Sequence, residues 1–152
     1  MLRFFRHRLS RLRRRQEGAA AVEFAICLIP LMLIVGGIID FGQLWYMEST
    51  LATASREGAR YATRYQPAVP TGRLAPNALS PSVVTYVTDN YGKFFSGDQD
   101  FQVALGGSSG STTAGTPITV TVTAQKHWFF LGILPVITDP QPLSSTTEMS
   151  LE

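Results

Sequence analysis

The stretch Arg13-Arg14-Arg15-Gln16-Glu17-Gly18-Ala19-Ala20-Ala21-Val22-Glu23-Phe24 runs straight into Ala25-Ile26-Cys27-Leu28-Ile29-Pro30-Leu31-Met32-Leu33-Ile34-Val35-Gly36-Gly37-Ile38-Ile39, and Asp40 ends the apolar run. About 20 apolar residues are enough to cross a bilayer as a helix. Arginines ahead of such a run predict a cytoplasmic N-terminus, with the body of the chain on the other side. One carboxylate, Glu23, stands inside the run. A charge at membrane depth costs about 2.5–3.5 kcal/mol on insertion scales, so Glu23 is read as a functional residue.

Three explanations compete for this segment. A cleaved secretory signal has an apolar core of roughly 7–15 residues followed closely by a small-x-small site. This run is longer, and the nearest such site, Ala52-Thr53-Ala54, lies well past its end. A plain anchor accounts for the arginines and the apolar run but leaves Glu23 without a purpose. A prepilin-type signal accounts for all three features: a basic leader, a glycine at the membrane face, and a glutamate five residues on. Gly18 lacks a side chain and so permits an extended backbone for a protease. Cutting between Gly18 and Ala19 creates a free amine at Ala19, and Glu23 becomes the carboxylate that a neighbouring subunit's amine neutralises. Buried charges persist when they are paired, so Glu23 is read as an assembly register device.

The formal net charge of +2 hides a strong asymmetry. Seven of the thirteen basic residues, Arg3, Arg6, Arg8, Arg11, Arg13, Arg14 and Arg15, precede Gly18. Beyond the leader six basic side chains face ten acids, which removes the main support for nucleic-acid binding. The single cysteine, Cys27, allows no intrachain disulfide and reads as a small packing residue.

After Asp40 there is no proline until Pro67, so the spacing predicts one helix from about Ala20 to Tyr65, roughly 70 Å long at about 1.5 Å per residue. Pro30 should kink it. Trp45 and Tyr46 suit the membrane interface. Ala52, Ser55, Ala59 and Ala62 recur at helical spacing and predict a small-residue face that another element can approach closely. Arg56, Arg60 and Arg64 form a stripe nearby, with Glu57 in reach of Arg60. A solvated charged face and a contact with the head or a neighbouring subunit weigh equally there.

Pro67, Pro70, Gly72, Pro76 and Pro81 mark an irregular connection. Ser80-Pro81 reads as a cap followed by proline at the first helical position, opening a short helix over about 81–95 with Val83, Val84, Val87, Tyr91 and Phe94 as its apolar stripe. Phe101, Val103 and Leu105 alternate as a strand, and the Gly/Ser-rich run 106–115 reads as a flexible loop. Ile118, Val120 and Val122 alternate with threonines as the clearest strand, and a last strand is expected over about 143–151. The apolar run 128–137 is too short to span a membrane. Filling the core of a small sheet is the favoured reading, and an exposed loop touching a subunit or a membrane surface is the alternative.

The expected fold is α+β and type IV pilin-like, with one long N-terminal transmembrane helix and a small antiparallel-sheet head. The expected organisation is a cleaved leader at 1–18, a transmembrane half-helix at 19–40, the outer half-helix at 41–65 and a small α+β head at 66–152.

The leader, Gly18, Glu23-Phe24, the long helix and Arg56-Glu57-Gly58-Ala59-Arg60 together resemble a TadE-like pseudopilin of the tight-adherence (Tad/Flp) type IV pilus system. The resemblance is good over about residues 13–65 and weak over the head. It implies cleavage between Gly18 and Ala19 by a prepilin peptidase, a role for Glu23 and Phe24 in processing or assembly, and packing of Arg56, Glu57, Gly58 and Arg60 against the head or another subunit. It implies a minor pilus component in the inner membrane, its head periplasmic or carried into the pilus. The implied partners are the prepilin peptidase, other pilin and pseudopilin subunits, an assembly ATPase and platform, and membrane lipid. Two departures stand out: Ala19, rather than phenylalanine, would be the new N-terminus, and Phe24 replaces the tyrosine usual in the major Flp pilin.

No enzyme chemistry is expected. His127 and Ser144, Ser145 or Asp139 form an imaginable hydrolase set, but a histidine beside Trp128 is far more often structural. No cofactor is implied, no Cys/His cluster has metal spacing, and no phosphate-binding glycine loop precedes a helix. A single-pass envelope protein with a binding head and no cleavage is the alternative function.

Overall fold

The computed structural model describes residues 2–67, 72–95 and 99–151, with side chains described from Gly18 onward. The leader arginines' side chains and Pro70 lie outside the described residues. The elements are α1 (Leu2–Thr63), α2 (Val83–Tyr91), β1 (Gln102–Gly107), β2 (Pro117–Lys126) and β3 (Gln141–Ser150), with three short 3-10 turns at Pro76–Ala78, Gly92–Phe94 and Leu131–Ile133. The chain divides into two compact units, Met1–Ile39 and Asp40–Glu152, and α1 supplies residues to both. The fold is α+β: one long apolar helix and a small antiparallel sheet.

In the first unit the described residues are all helical. Val22, Phe24, Ile26, Ile29, Ile34 and Ile38 are exposed, as lipid-facing side chains would be. Gly18–Thr63 is the one described helix long and apolar enough to cross a membrane. Pro30 sits inside α1 and leaves one backbone carbonyl without its helical donor.

The second unit is built on a three-stranded sheet in the order β1-β2-β3, antiparallel throughout. Val103 pairs with Val122 and Leu105 with Val120 on one side. On the other, Val120 pairs with Thr147, Val122 with Ser145 and Ala124 with Leu143. The period of two sends Ile118, Val120, Val122, Ala124 and Lys126 to one face, and all five are buried. Met47, Leu51, Ala54, Ala59 and Ala62 of α1 share the core with them, together with Val83 and Val87 of α2. Small side chains on the helix let it lie close to the sheet. A Cβ on Gly58 would come within 2.8 Å of Val87 Cγ2 and 3.0 Å of Val120 Cγ1. The small-residue face thus centres on Ala54, Ser55, Gly58, Ala59 and Ala62, with Ala52 only partly covered. The C-terminal carbonyl of α1, at Thr63, accepts a hydrogen bond from the buried Arg73 guanidinium, where a cation also complements the helix dipole.

Several boundaries move. α1 ends at Thr63, before Tyr65. The short helix begins at Val83, and its cap is Ser82, whose hydroxyl accepts from the Thr85 N–H at 3.1 Å; Ser80 is not the cap and Pro81 precedes the helix. The stripe is trimmed as well. Val84 and Phe94 are exposed, and Phe95 is buried in their place, stacked on Phe101 at 4.9 Å. Gly106 and Gly107 belong to β1, not to the loop after it. Gly107 takes a φ of +70° at the strand's end, and a Cβ there would meet the Pro117 carbonyl at 2.8 Å. β3 starts at Gln141, two residues before the expected 143.

The largest correction concerns residues 128–137. They do not fill the core. Phe129, Ile133 and Val136 are 77%, 84% and 92% exposed, and the segment forms a loop around the turn Leu131–Ile133. Valines and isoleucine of β2 already occupy the sheet's inner face, so the core has no place for a second apolar run.

Candidate functional site

Gly18, Ala19, Glu23 and Phe24 lie on the exposed surface of α1. A Cβ on Gly18 would meet nothing within 4 Å. Ala19 and Glu23 are four residues apart on a helix, so they share a face one turn apart. Ala19 and the Glu23 carboxylate therefore stand on one edge of the helix, both exposed.

Arg56, Glu57, Gly58 and Arg60 divide between two faces. Gly58 is buried at the crossing with Val87 and Val120. Arg56 and Arg60 are exposed, and Arg60 is 3.9 Å from Glu57, a loose surface pair. Beside Gly58, the Ser55 hydroxyl is fully buried and shares hydrogen bonds with Ser145 at 3.0 Å and Thr147 at 2.9 Å. Three hydroxyls thus tie α1 to β3.

Sequence reasoning missed the second polar centre. Asp40 is 0% exposed and Lys126 is 1% exposed, with Lys126 Nζ 3.7 Å from Asp40 Oδ1. The ammonium also donates to Gln43 Oε1 at 3.0 Å and to the His127 carbonyl. The Asp40 carboxylate accepts three backbone N–H bonds, from Phe129, Phe130 and Leu131, each at 2.9 Å. Buried charges are tolerated when both are paired and hydrogen-bonded, as these are. The signal was present in the pattern. Asp40 precedes Leu44, Met47 and Leu51 at helical spacing, and Lys126 is the next inward position after Val122 and Ala124.

His127 Nδ1 lies 3.4 Å from Asp139 Oδ1, and the Ser145 hydroxyl is engaged by Ser55. An open groove of about 350 Å³ over the sheet includes Asp100, Gln125 and Ser144, and Asp100 Oδ1 accepts from the Gln102 amide at 2.9 Å. Among the described residues no group of three or more His, Cys, Asp or Glu is placed to hold a metal ion.

The segment that carries both the exposed glutamate and the glycine crossing also matches a known family model. Residues 18–60 match the model of the TadE-like protein family. The TadE-like match opens on Gly18, takes in Glu23, Phe24 and Pro30, and closes on Arg60. It stops short of α2 and the sheet. No curated protein and no solved structure matches the chain.

Proposed function

We propose that this chain is a membrane-anchored minor pilin, or pseudopilin, of the Tad pilus system, and that it works as a structural subunit. The observation that carries this reading is the TadE-like match over 18–60, which begins at the glycine that ends the basic leader and includes the exposed Glu23. The apolar helix anchors the chain in the inner membrane, with its N-terminus cytoplasmic and its sheet unit periplasmic. Prepilin peptidase cuts between Gly18 and Ala19. The Ala19 amine and the Glu23 carboxylate then set the register with neighbouring pilin subunits, because two opposite charges in an apolar medium are stable only when they meet. The assembly platform and its ATPase act on the subunit from the membrane, and the assembled pilus serves adhesion.

Intact-mass measurement of the protein from its native host tests the processing step. A mature N-terminus at Ala19, lost when the host's prepilin peptidase gene is deleted, supports it. An N-terminus at Met1 rejects cleavage and leaves the single-pass envelope anchor as the better reading. Glu23→Ala should leave membrane insertion intact while reducing incorporation into pili, and unchanged piliation would remove the register role.

A further inference from the structure

We propose that the loop 128–137 is a second membrane contact, inserting its apolar tip into the headgroup–acyl boundary of the bilayer that holds the helix. The proposal rests on reading residues 19–39 as the membrane anchor.

The loop is exposed and at the same time firmly held. Phe129, Ile133, Leu134 and Val136 all face outward. Its near end is pinned by the three N–H bonds to Asp40. Its far end is closed by the Trp128 indole N–H, which donates to the Thr138 carbonyl at 3.0 Å, and by the Trp128 backbone N–H, which donates to Asp139 Oδ1 at 3.3 Å. A contiguous apolar surface presented by a fixed loop signals an interaction site.

Lipid is the occupant favoured by position and chemistry. Asp40 directly follows Ile39, the last residue of the apolar run, so the loop is tethered within one residue of the span's end. No charged residue occurs between Trp128 and Thr138, so the loop offers a charged partner no side chain of opposite sign. Aromatic residues cluster around the same tether. Phe41 meets Trp128 edge-on at 6.2 Å, and Trp45 and Tyr46 are exposed on the next turn of α1. Tryptophan and tyrosine concentrate at membrane–water boundaries, where an apolar ring and a polar N–H or O–H are both accommodated. The loop therefore adds a lipid contact of its own to that of the apolar helix.

The test uses the full chain reconstituted in vesicles of phosphatidylcholine and phosphatidylglycerol, with an environment-sensitive fluorophore on one cysteine at a time. Native Cys27 reports on the span. Ile133→Cys and Val136→Cys, each combined with Cys27→Ser, report on the loop. Ala114→Cys in the same background reports on the exposed β1–β2 turn, at the other end of β2. The expected result is deep-nitroxide quenching at Cys27, and quenching at 133 and 136 about twofold or more stronger with a nitroxide about 5–10 Å deep than at 114. Quenching at Cys27 with water-exposed labels at 133 and 136 overturns the loop contact and leaves the anchor standing. Labels at 133 and 136 that are shielded from water but not quenched by lipid nitroxide also overturn it, because a second copy or another protein then covers the loop. No quenching at Cys27 overturns the anchor, and the proposal with it.

Discussion

Lys126 Nζ sits 3.7 Å from Asp40 Oδ1, and neither side chain reaches solvent. One belongs to the end of β2 and the other to α1, so the pair joins the sheet to the helix where the apolar run stops. The two partners are not equally committed. Asp40 also holds three loop N–H groups, whereas Lys126 keeps Gln43 and the His127 carbonyl.

Removing one partner of a buried pair strands the other charge and costs about 3–5 kcal/mol. Asp40→Ala should fall in that range, since it strands Lys126 and three backbone donors together. Lys126→Met leaves the carboxylate fully hydrogen-bonded and should cost less, about 1–3 kcal/mol. Urea unfolding of the full chain in detergent micelles measures both, and equal losses would contradict the asymmetry.

Gly58 sets how close α1 comes to α2 and β2. Alanine is the better helix former by about 1 kcal/mol. The added Cβ, however, would press on Val87 and Val120, two stiff, fully buried β-branched side chains. Overpacking of this kind costs about 1–3 kcal/mol, so Gly58→Ala should be net destabilising by about 1 kcal/mol. Adding Val87→Ala opens space, and the double variant should be more stable than the sum of the single losses allows.

Ser55→Ala should destabilise by about 1–2 kcal/mol, because it deprives the Ser145 and Thr147 hydroxyls of a buried partner. Ser55→Thr keeps the hydroxyl but adds a methyl at a fully buried position, and should not rescue the loss. Denaturant midpoints of the two variants decide this.

Arg60 is 77% exposed and 3.9 Å from Glu57, so Arg60→Ala should change unfolding stability by less than about 0.5 kcal/mol. A piliation defect in Arg60→Ala at unchanged stability would assign this arginine to a subunit contact.

Burial holds the Tyr91 phenol above its ordinary value of 10.0, and the nearby Glu57 carboxylate and Tyr86 push the same way. A raised folded value means the stabilising neutral form is fully present below about pH 10 and is lost as pH rises through the folded value. Tyr91→Phe should remove one tyrosine transition lying above the ordinary value in a spectrophotometric titration and flatten the corresponding loss of stability.

The long helix was legible because its apolar run, its freedom from proline between Pro30 and Pro67 and its small-residue face are all local patterns. The period-two alternation of Ile118, Val120 and Val122 identified β2 for the same reason. Boundaries were harder to read. Ser80-Pro81 reads as the start of the short helix, but the helix is capped at Ser82, and Val83 and Val87 behind it pack into the core. The loop 128–137 was misjudged as core because hydropathy reports the cost of exposure without reporting whether the core has room.

Sequence by itself determined that this chain has one membrane-length helix with a glycine and a glutamate near its start, followed by a small mixed head, because those features depend on residue order and local periodicity. Tertiary structure decided which inward positions meet. Asp40 and Lys126 are 86 positions apart, and each alone looks like a misplaced charge in an apolar pattern. Their pairing, and the loop that Asp40 holds beside it, exist only because the register of β2 on α1 brings opposite charges together where water is excluded.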